Sequence, residues 1–103
     1  TRLPDYSRDL LLWKKEPNIA KTKTRLEKVR KLLENLPEEK FTKDETKNSI
    51  WDFATNEGRG EVLWPLRFSL SGKPESPDPF TLCEILGKKE TLTRITTAIQ
   101  KLS

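Results

Sequence analysis

The sequence contains no histidine, no methionine and a single cysteine, Cys83. Without histidine the chain lacks the commonest general base and the commonest metal ligand, and one cysteine can form neither an intrachain disulfide nor a zinc site. Neither a glycine-rich phosphate-binding motif nor an apolar run of membrane-spanning length occurs. We therefore expect no catalytic site, no metal and no cofactor in this chain. The lone cysteine is typical of a reducing cytoplasm, and Cys83 is predicted to be a small core residue.

The 103 residues are 33% hydrophobic and 35% charged, which predicts one domain, 1–103, around a modest core. The net charge is +4, and the excess of basic residues lies in the first half of the chain. A mildly basic domain favours acidic partners, nucleic acid first. No signal peptide is visible, and the absence of an initial methionine indicates a fragment of a longer chain.

Apolar residues at steps of three and four predict an all-α bundle of about five to six helices, and no strand pattern appears. The predicted helices are Asp5–Trp13, Pro17 to about Asn35, Thr42 to about Asn56, Leu66–Ser71, Ser76 or Asp78 to Leu86, and about Lys89 to Leu102. Residues 1–57 would form a helical hairpin portion. Gly58-Arg59-Gly60 would be a flexible break before the second portion, 58–103.

Local signals mark the expected helix ends. Thr42 and Glu45 form a capping box, and Pro65 suits a first helical position because it needs no hydrogen-bond donor there. The remaining signals are the glycine caps Gly72 and Gly87 and two alternative helix starts, Ser76-Pro77 and Asp78-Pro79.

Basic residues crowd residues 14–31, where helical spacing places several of them opposite the apolar stripe. That side is either a face that tracks phosphates or an ordinary solvated surface. Lys88 and Lys89 could instead only complement the end of the preceding helix. The candidate phosphate contacts are Lys21, Arg25, Lys28, Lys73, Lys88 and Lys89.

Aromatic residues could stack on bases or could belong to the core. Trp13 and Trp51 lie at helical spacing with other apolar residues, which favours the core for both. Trp64 directly precedes Pro65 at the expected helix start, and its exposure is open at this point.

Arg67 is a lone cation in the most apolar run of the chain. It either pairs with a carboxylate such as Glu61 or Asp78, or presents its planar fork to a base edge or a phosphate. The nearby Ser76–Phe80 loop offers a hydroxyl and an apolar ring at a helix N-terminus. That loop is either a recognition element or a plain helix start.

Nearly the whole chain resembles the C-terminal anticodon-binding region of bacterial-type glutamyl-tRNA synthetases, a family of class I enzymes. The ordered series of short segments is specific, although each segment alone is weak. The segments are Leu3–Ser7, Leu10–Lys15, Val62–Arg67, Leu70–Gly72, Ser76-Pro77 with Phe80, Ile85–Leu92, Arg94-Ile95 and Ala98-Ile99.

The resemblance implies an all-helical cage that grips the anticodon of the glutamate tRNA. It implies that Arg67 contacts anticodon bases and that Ser76, Pro77, Pro79 and Phe80 line the pocket for them. The family often has small or aliphatic residues after the Ser-Pro pair, whereas this chain has Asp78 and Pro79.

The resemblance also implies that catalysis occurs elsewhere, because the catalytic signatures of these ligases are absent from this chain. ATP and Mg would belong to a parent catalytic domain, joined in cis to this tRNA-binding domain in a cytoplasmic monomer that contacts no membrane. The alternative is a helical protein-interaction module without nucleic-acid function. The two differ in whether Arg67 and the Ser76–Phe80 loop share one exposed concave face.

Overall fold

The structure is a computed structural model that describes Tyr6 and residues 8–12, 18–73 and 76–103. Within these residues the chain is all-helical, which confirms the predicted fold class. The four α-helices are α1 (Ile19–Glu34), α2 (Lys43–Glu57), α3 (Arg59–Ser71) and α4 (Pro79–Lys101), and short 3₁₀ helices cover Arg8–Leu11 and Glu38–Lys40. No helix of the described part combines the length and the apolar character needed to cross a bilayer.

Polar caps fix three helix starts. The Asn18 side chain accepts a hydrogen bond from the Lys21 N–H at 2.9 Å and begins α1, while the predicted start at Pro17 lies outside the described residues. Thr42 Oγ1 accepts from the Glu45 N–H at 3.3 Å, which confirms the predicted cap of α2. Asp78 rather than Ser76 caps α4.

The predicted start of a helix at Pro65 is wrong, because Pro65 lies inside α3. Gly58 is not part of a flexible break either: it ends α2 and begins α3 with a φ of 125°, a value that side chains rarely allow. The helix begins before the proline because Val62 and Leu66, one turn apart, are both fully buried. Burial of this face outweighs the local preference of proline for a first turn.

The number of α-helices, four in the described part, is also lower than predicted, because the first predicted helix is a 3₁₀ helix at Arg8–Leu11 and α4 continues past Gly87. Gly87 has a non-helical backbone, with φ 81° and ψ 169°. The predicted interruption of the helix at Gly87 is therefore present. Helix resumes at once, however, and the two predicted helices follow one another without a loop. Gly72 has the left-handed conformation expected of a cap, and its N–H donates to the Phe68 carbonyl at 2.7 Å.

The core draws on all four α-helices, and α4 packs against α1, α2 and α3. Cys83 is fully buried there, as predicted, and burial raises the pKa of its thiol to about 12. Trp51 and Trp64 pack against the edge of the core and are half-buried, whereas Trp13 lies outside the described residues. The buried apolar residues are Leu11, Leu26, Val29, Leu33, Phe41, Ile50, Ala54, Val62, Leu66, Phe68, Leu70, Phe80, Cys83, Ile95, Ala98 and Leu102.

Candidate nucleic-acid interface

A groove runs along α3 and ends at the first residue of α4. It has a volume of about 430 Å³, and we call it the α3 groove. Its walls combine two arginines, an indole and apolar surface. The lining residues are Arg59, Gly60, Leu63, Trp64, Arg67 and Pro79.

Arg67 lies over the Trp64 ring in this groove, with its Cζ 5.8 Å from the ring centroid. The indole is itself fixed, because its Nε1 donates to the Leu10 carbonyl at 3.0 Å and its ring packs 5.7 Å from that of Phe68. A guanidinium over an aromatic face is attracted by the ring's quadrupole, whose face is electron-rich, and its N–H groups remain directed along its own plane. The groove therefore contains an oriented planar donor beside an oriented ring.

Arg67 and Pro79 line the same groove, so one part of the Ser76–Phe80 loop shares a concave surface with the arginine. Ser76 and Pro77 are not among the lining residues. The Ser76 hydroxyl donates to the Pro77 carbonyl at 3.2 Å, and Pro77 is exposed beside the start of α4.

Phe80 does not line the groove, contrary to the prediction from the family. It is 4% exposed and belongs to the core, and its ring meets that of Trp51 edge-on at 6.5 Å. Phe80 is the second residue of α4 and shares the buried side of that helix with Cys83. Its ring therefore lies in the core, against Trp51.

Asp78, the residue that departs from the family pattern, is committed to the start of α4. Its carboxylate accepts from the N–H groups of Phe80 and Thr81 at 3.1 and 3.0 Å, and Lys43 Nζ lies 3.8 Å away. Partial burial alone would raise the pKa of Asp78, but the hydrogen bonds from Thr81 and Phe80 and the charge of Lys43 hold it below its usual value. Asp78 therefore acts as the cap of α4, and it does not line the α3 groove.

Of the basic residues predicted to share the solvated face of α1, two lysines are exposed and one arginine is buried. Lys21 and Lys28 are exposed, but Arg25 is 5% exposed, and its Nε donates to Glu57 of α2 at 3.4 Å. Placing Arg25 on the solvated side was wrong, because it falls between Thr22 and Val29 on the buried stripe of the helix. Lys73, Lys88 and Lys89 all lie outside the α3 groove.

Sequence reasoning missed Arg59, whose Cζ lies 4.7 Å from the Trp51 ring centroid. Lys47 Nζ approaches the same ring at 4.9 Å. The spacing of Arg59 could have indicated it, because Arg59, Leu63 and Arg67 follow at steps of four, as on one side of a helix. That spacing has meaning only if the helix begins at Arg59, and the sequence predicted a later start.

Within the described part of the chain, no group of three or more Cys, Asp and Glu side chains could hold a metal ion.

The fold and the groove thus define a helical domain with a cationic and aromatic groove on its surface. The chain belongs to the anticodon binding domain family, whose model matches residues 1–99. This confirms the resemblance seen in the sequence.

Curated relatives carry the name glutamate–tRNA ligase. The protein from Clostridium botulinum (strain Eklund 17B / Type B) is 34% identical over 104 residues, and that from Clostridium tetani (strain Massachusetts / E88) is 38% identical over 104 residues. Each alignment covers 97% of this chain and 21% of the relative, so the chain spans about a fifth of their length. The Flavobacterium psychrophilum ligase is 44% identical over 66 residues, which is 62% of this chain and 13% of the relative. No solved structure matches the chain.

Proposed function

We propose that this chain is the part of a glutamate–tRNA ligase that binds the anticodon of the glutamate tRNA, with the α3 groove as the site for the bases. Membership of the anticodon binding domain family and the names of the relatives support this proposal. The observation that carries it is the position of Arg67 in the groove, over a fixed indole and on the same concave surface as Pro79.

The chemistry of the groove suits unstacked bases. Arg67 would offer two N–H groups at a fixed spacing to the acceptors on a base edge, which a point charge such as lysine cannot match. Leu63 and Pro79 would contact the flat apolar faces, and the ring of Trp64 could stack with a base. Ser76 and Pro77 would lie at the approach to the groove.

Phosphates would meet lysines that lie outside the groove. We retain Lys21, Lys28, Lys73, Lys88 and Lys89 as proposed phosphate contacts. Arg25 is omitted, since its guanidinium joins α1 to Glu57 of α2.

In this proposal the domain performs no bond chemistry. Activation of glutamate with ATP and Mg would occur in a catalytic domain of the same polypeptide, and this domain would make that reaction depend on the identity of the anticodon. We place the protein in the cytoplasm, as a monomer.

The test is a titration of the chain with glutamate tRNA and with the same tRNA carrying exchanged anticodons, followed by fluorescence anisotropy. The unaltered chain should prefer the glutamate anticodon. Arg67→Ala should remove about 1–3 kcal/mol of that preference, the value of one bidentate base contact. Arg67→Lys should keep most of the affinity and lose the preference, because the charge stays and the fork does not.

Thermal unfolding of each variant controls for loss of structure. Equal affinity for all anticodons would reduce the domain to a nonspecific polycation and contradict the proposal. Absence of binding to any tRNA would favour the alternative of a protein-interaction module.

A further inference from the structure

Arg59 is the second cation of the α3 groove, and it is placed at the first residue of α3. Its side chain is exposed, and its guanidinium lies over the Trp51 ring, 4.7 Å from the centroid. Trp51 is in turn positioned by an edge-on contact with the buried ring of Phe80. Arg59 is therefore held by an aromatic support, as Arg67 is held by Trp64.

The stability of the helix does not explain a cation at this position. The N-terminus of a helix carries a partial positive charge, which disfavours Arg or Lys in the first turn. Within the described residues no carboxylate forms an ion pair with Arg59. The nearby acid of the first turn, Glu61, folds its carboxylate back over Gly58 instead. Arg59 is thus an exposed cation that lies on an aromatic ring and forms no ion pair within the described residues.

The two arginines enter the groove from different turns of α3. They are eight residues apart in one helix, so their Cα atoms are separated by about 12 Å at a rise of 1.5 Å per residue. Stacked nucleotides of one strand advance by only about 3.4 Å each. A stacked strand with a base at Arg67 would therefore pass Arg59 about three or four nucleotides further along. Gly60, beside Arg59, has no side chain to keep that strand away.

We propose that Arg59, held on the ring of Trp51, binds a backbone phosphate of the RNA strand whose base is read at Arg67. This inference rests on the proposed function and adds a contact that fixes where the strand lies in the groove. A phosphate is the acceptor that the position favours, because Arg59 is exposed at the rim and an exposed guanidinium matches two phosphate oxygens at once.

The test measures how the Kd for glutamate tRNA depends on salt in the full 103-residue chain. One phosphate contact to a single strand contributes about 0.7 to the slope of log K against log salt, which corresponds to about fivefold in affinity at 0.1 M salt. Arg59→Gln should lower the slope by that amount and weaken binding by that factor. The preference for the glutamate anticodon should stay unchanged, whereas Arg67→Lys should reduce it.

Lys47→Gln is the matched control. It removes one positive charge from the same Trp51 ring, but Lys47 does not line the α3 groove. Its slope should remain that of the unaltered chain. Equal changes in Arg59→Gln and Lys47→Gln would overturn the inference, since they would indicate general electrostatic attraction.

A separate binding measurement tests whether Trp51 positions Arg59. Trp51→Leu should weaken binding about as much as Arg59→Gln, and the double variant should be no weaker than either single variant. Additive losses would contradict the positioning role. Urea unfolding of the Trp51→Leu chain shows how much structure is lost through its contact with Phe80.

The two proposals fail in different ways. An unchanged salt slope in Arg59→Gln, together with anticodon-dependent binding of the unaltered chain, would overturn the role of Arg59 alone. A loss of anticodon preference in Arg59→Gln would also overturn it, because Arg59 would then contact a base. Absence of RNA binding by the unaltered chain would overturn the proposed function and this inference together.

Discussion

Arg94 joins the end of α3 to α4, and its removal should destabilise the domain. Its Nη1 donates to the Leu70 carbonyl at 2.6 Å, and its Nε donates to the Glu90 carboxylate at 2.8 Å. The Leu70 carbonyl belongs to the last turn of α3, where carbonyl groups have no donor within the helix. Because the Arg94 side chain is only 12% exposed and Leu70 is fully buried, water does not readily replace the lost donor.

The expected cost of Arg94→Met follows from these contacts. Methionine keeps much of the aliphatic stem and removes the N–H groups. A hydrogen bond to a charged group contributes about 1.5–3 kcal/mol, whereas an exposed pair four residues apart on a helix contributes about 0.3–0.5 kcal/mol. We expect the free energy of unfolding to fall by about 2–3 kcal/mol, mostly through the unsatisfied carbonyl of Leu70.

The assay is urea unfolding followed by tryptophan fluorescence, with Arg30→Met as the control. Arg30 also pairs with an acid four residues away, Glu34, and it also bridges two helices, since its Nε donates to the Thr96 hydroxyl at 2.7 Å. Its side chain is 36% exposed, however, so its loss should cost less than about 1 kcal/mol. Equal costs for the two variants would refute the argument that burial of the Leu70 carbonyl determines the magnitude.

Two further predictions concern the titration of buried groups. Tyr6 is the single tyrosine of the chain, and burial raises the pKa of its phenol from 10.0 to about 12. Phenolate absorbance after a rapid pH jump should therefore rise near pH 12 in the folded chain and near pH 10 in urea; a folded midpoint of 10 would contradict the burial. Because the unfolded chain loses the proton first, the contribution of Tyr6 to stability should be complete below pH 10 and decline as the pH rises towards 12. The buried thiol of Cys83, with its pKa raised to about 12, should react with a thiol reagent at pH 8 only when the chain opens, so fast reaction without urea would show that it is accessible.

The sequence predicts those parts of the fold that depend on neighbouring residues. A cap such as Thr42 acts on a backbone N–H three residues away, and Gly72 acts on the turn that precedes it, so both can be inferred from local spacing. Arg25 shows the limit of this reasoning. Helical spacing predicted Arg25 on the solvated side, whereas it is buried against Glu57, thirty-two residues away on another helix, and the sequence alone does not indicate that pairing.

The candidate site likewise has parts that the sequence predicts and parts that depend on tertiary packing. Arg67 was predicted from its surroundings and from the family, and the structure adds the indole of Trp64 that orients it. The Phe80 ring was predicted to line the pocket but lies in the core. A helix start and a recognition loop have the same residue types, and the packing of Phe80 against Trp51 shows that its ring belongs to the interior.

Arg59 was missed for an energetic reason, which concerns Pro65. A proline inside a helix costs about 3 kcal/mol relative to alanine, because it removes one hydrogen bond and crowds the preceding turn. Local rules therefore begin the helix at Pro65. Each fully buried Val or Leu contributes about 1.5–3 kcal/mol, so burying both Val62 and Leu66 on one face contributes about 3–6 kcal/mol and offsets that cost. The helix consequently extends back to Arg59, and this extension, which depends on tertiary burial, places two arginines along one groove.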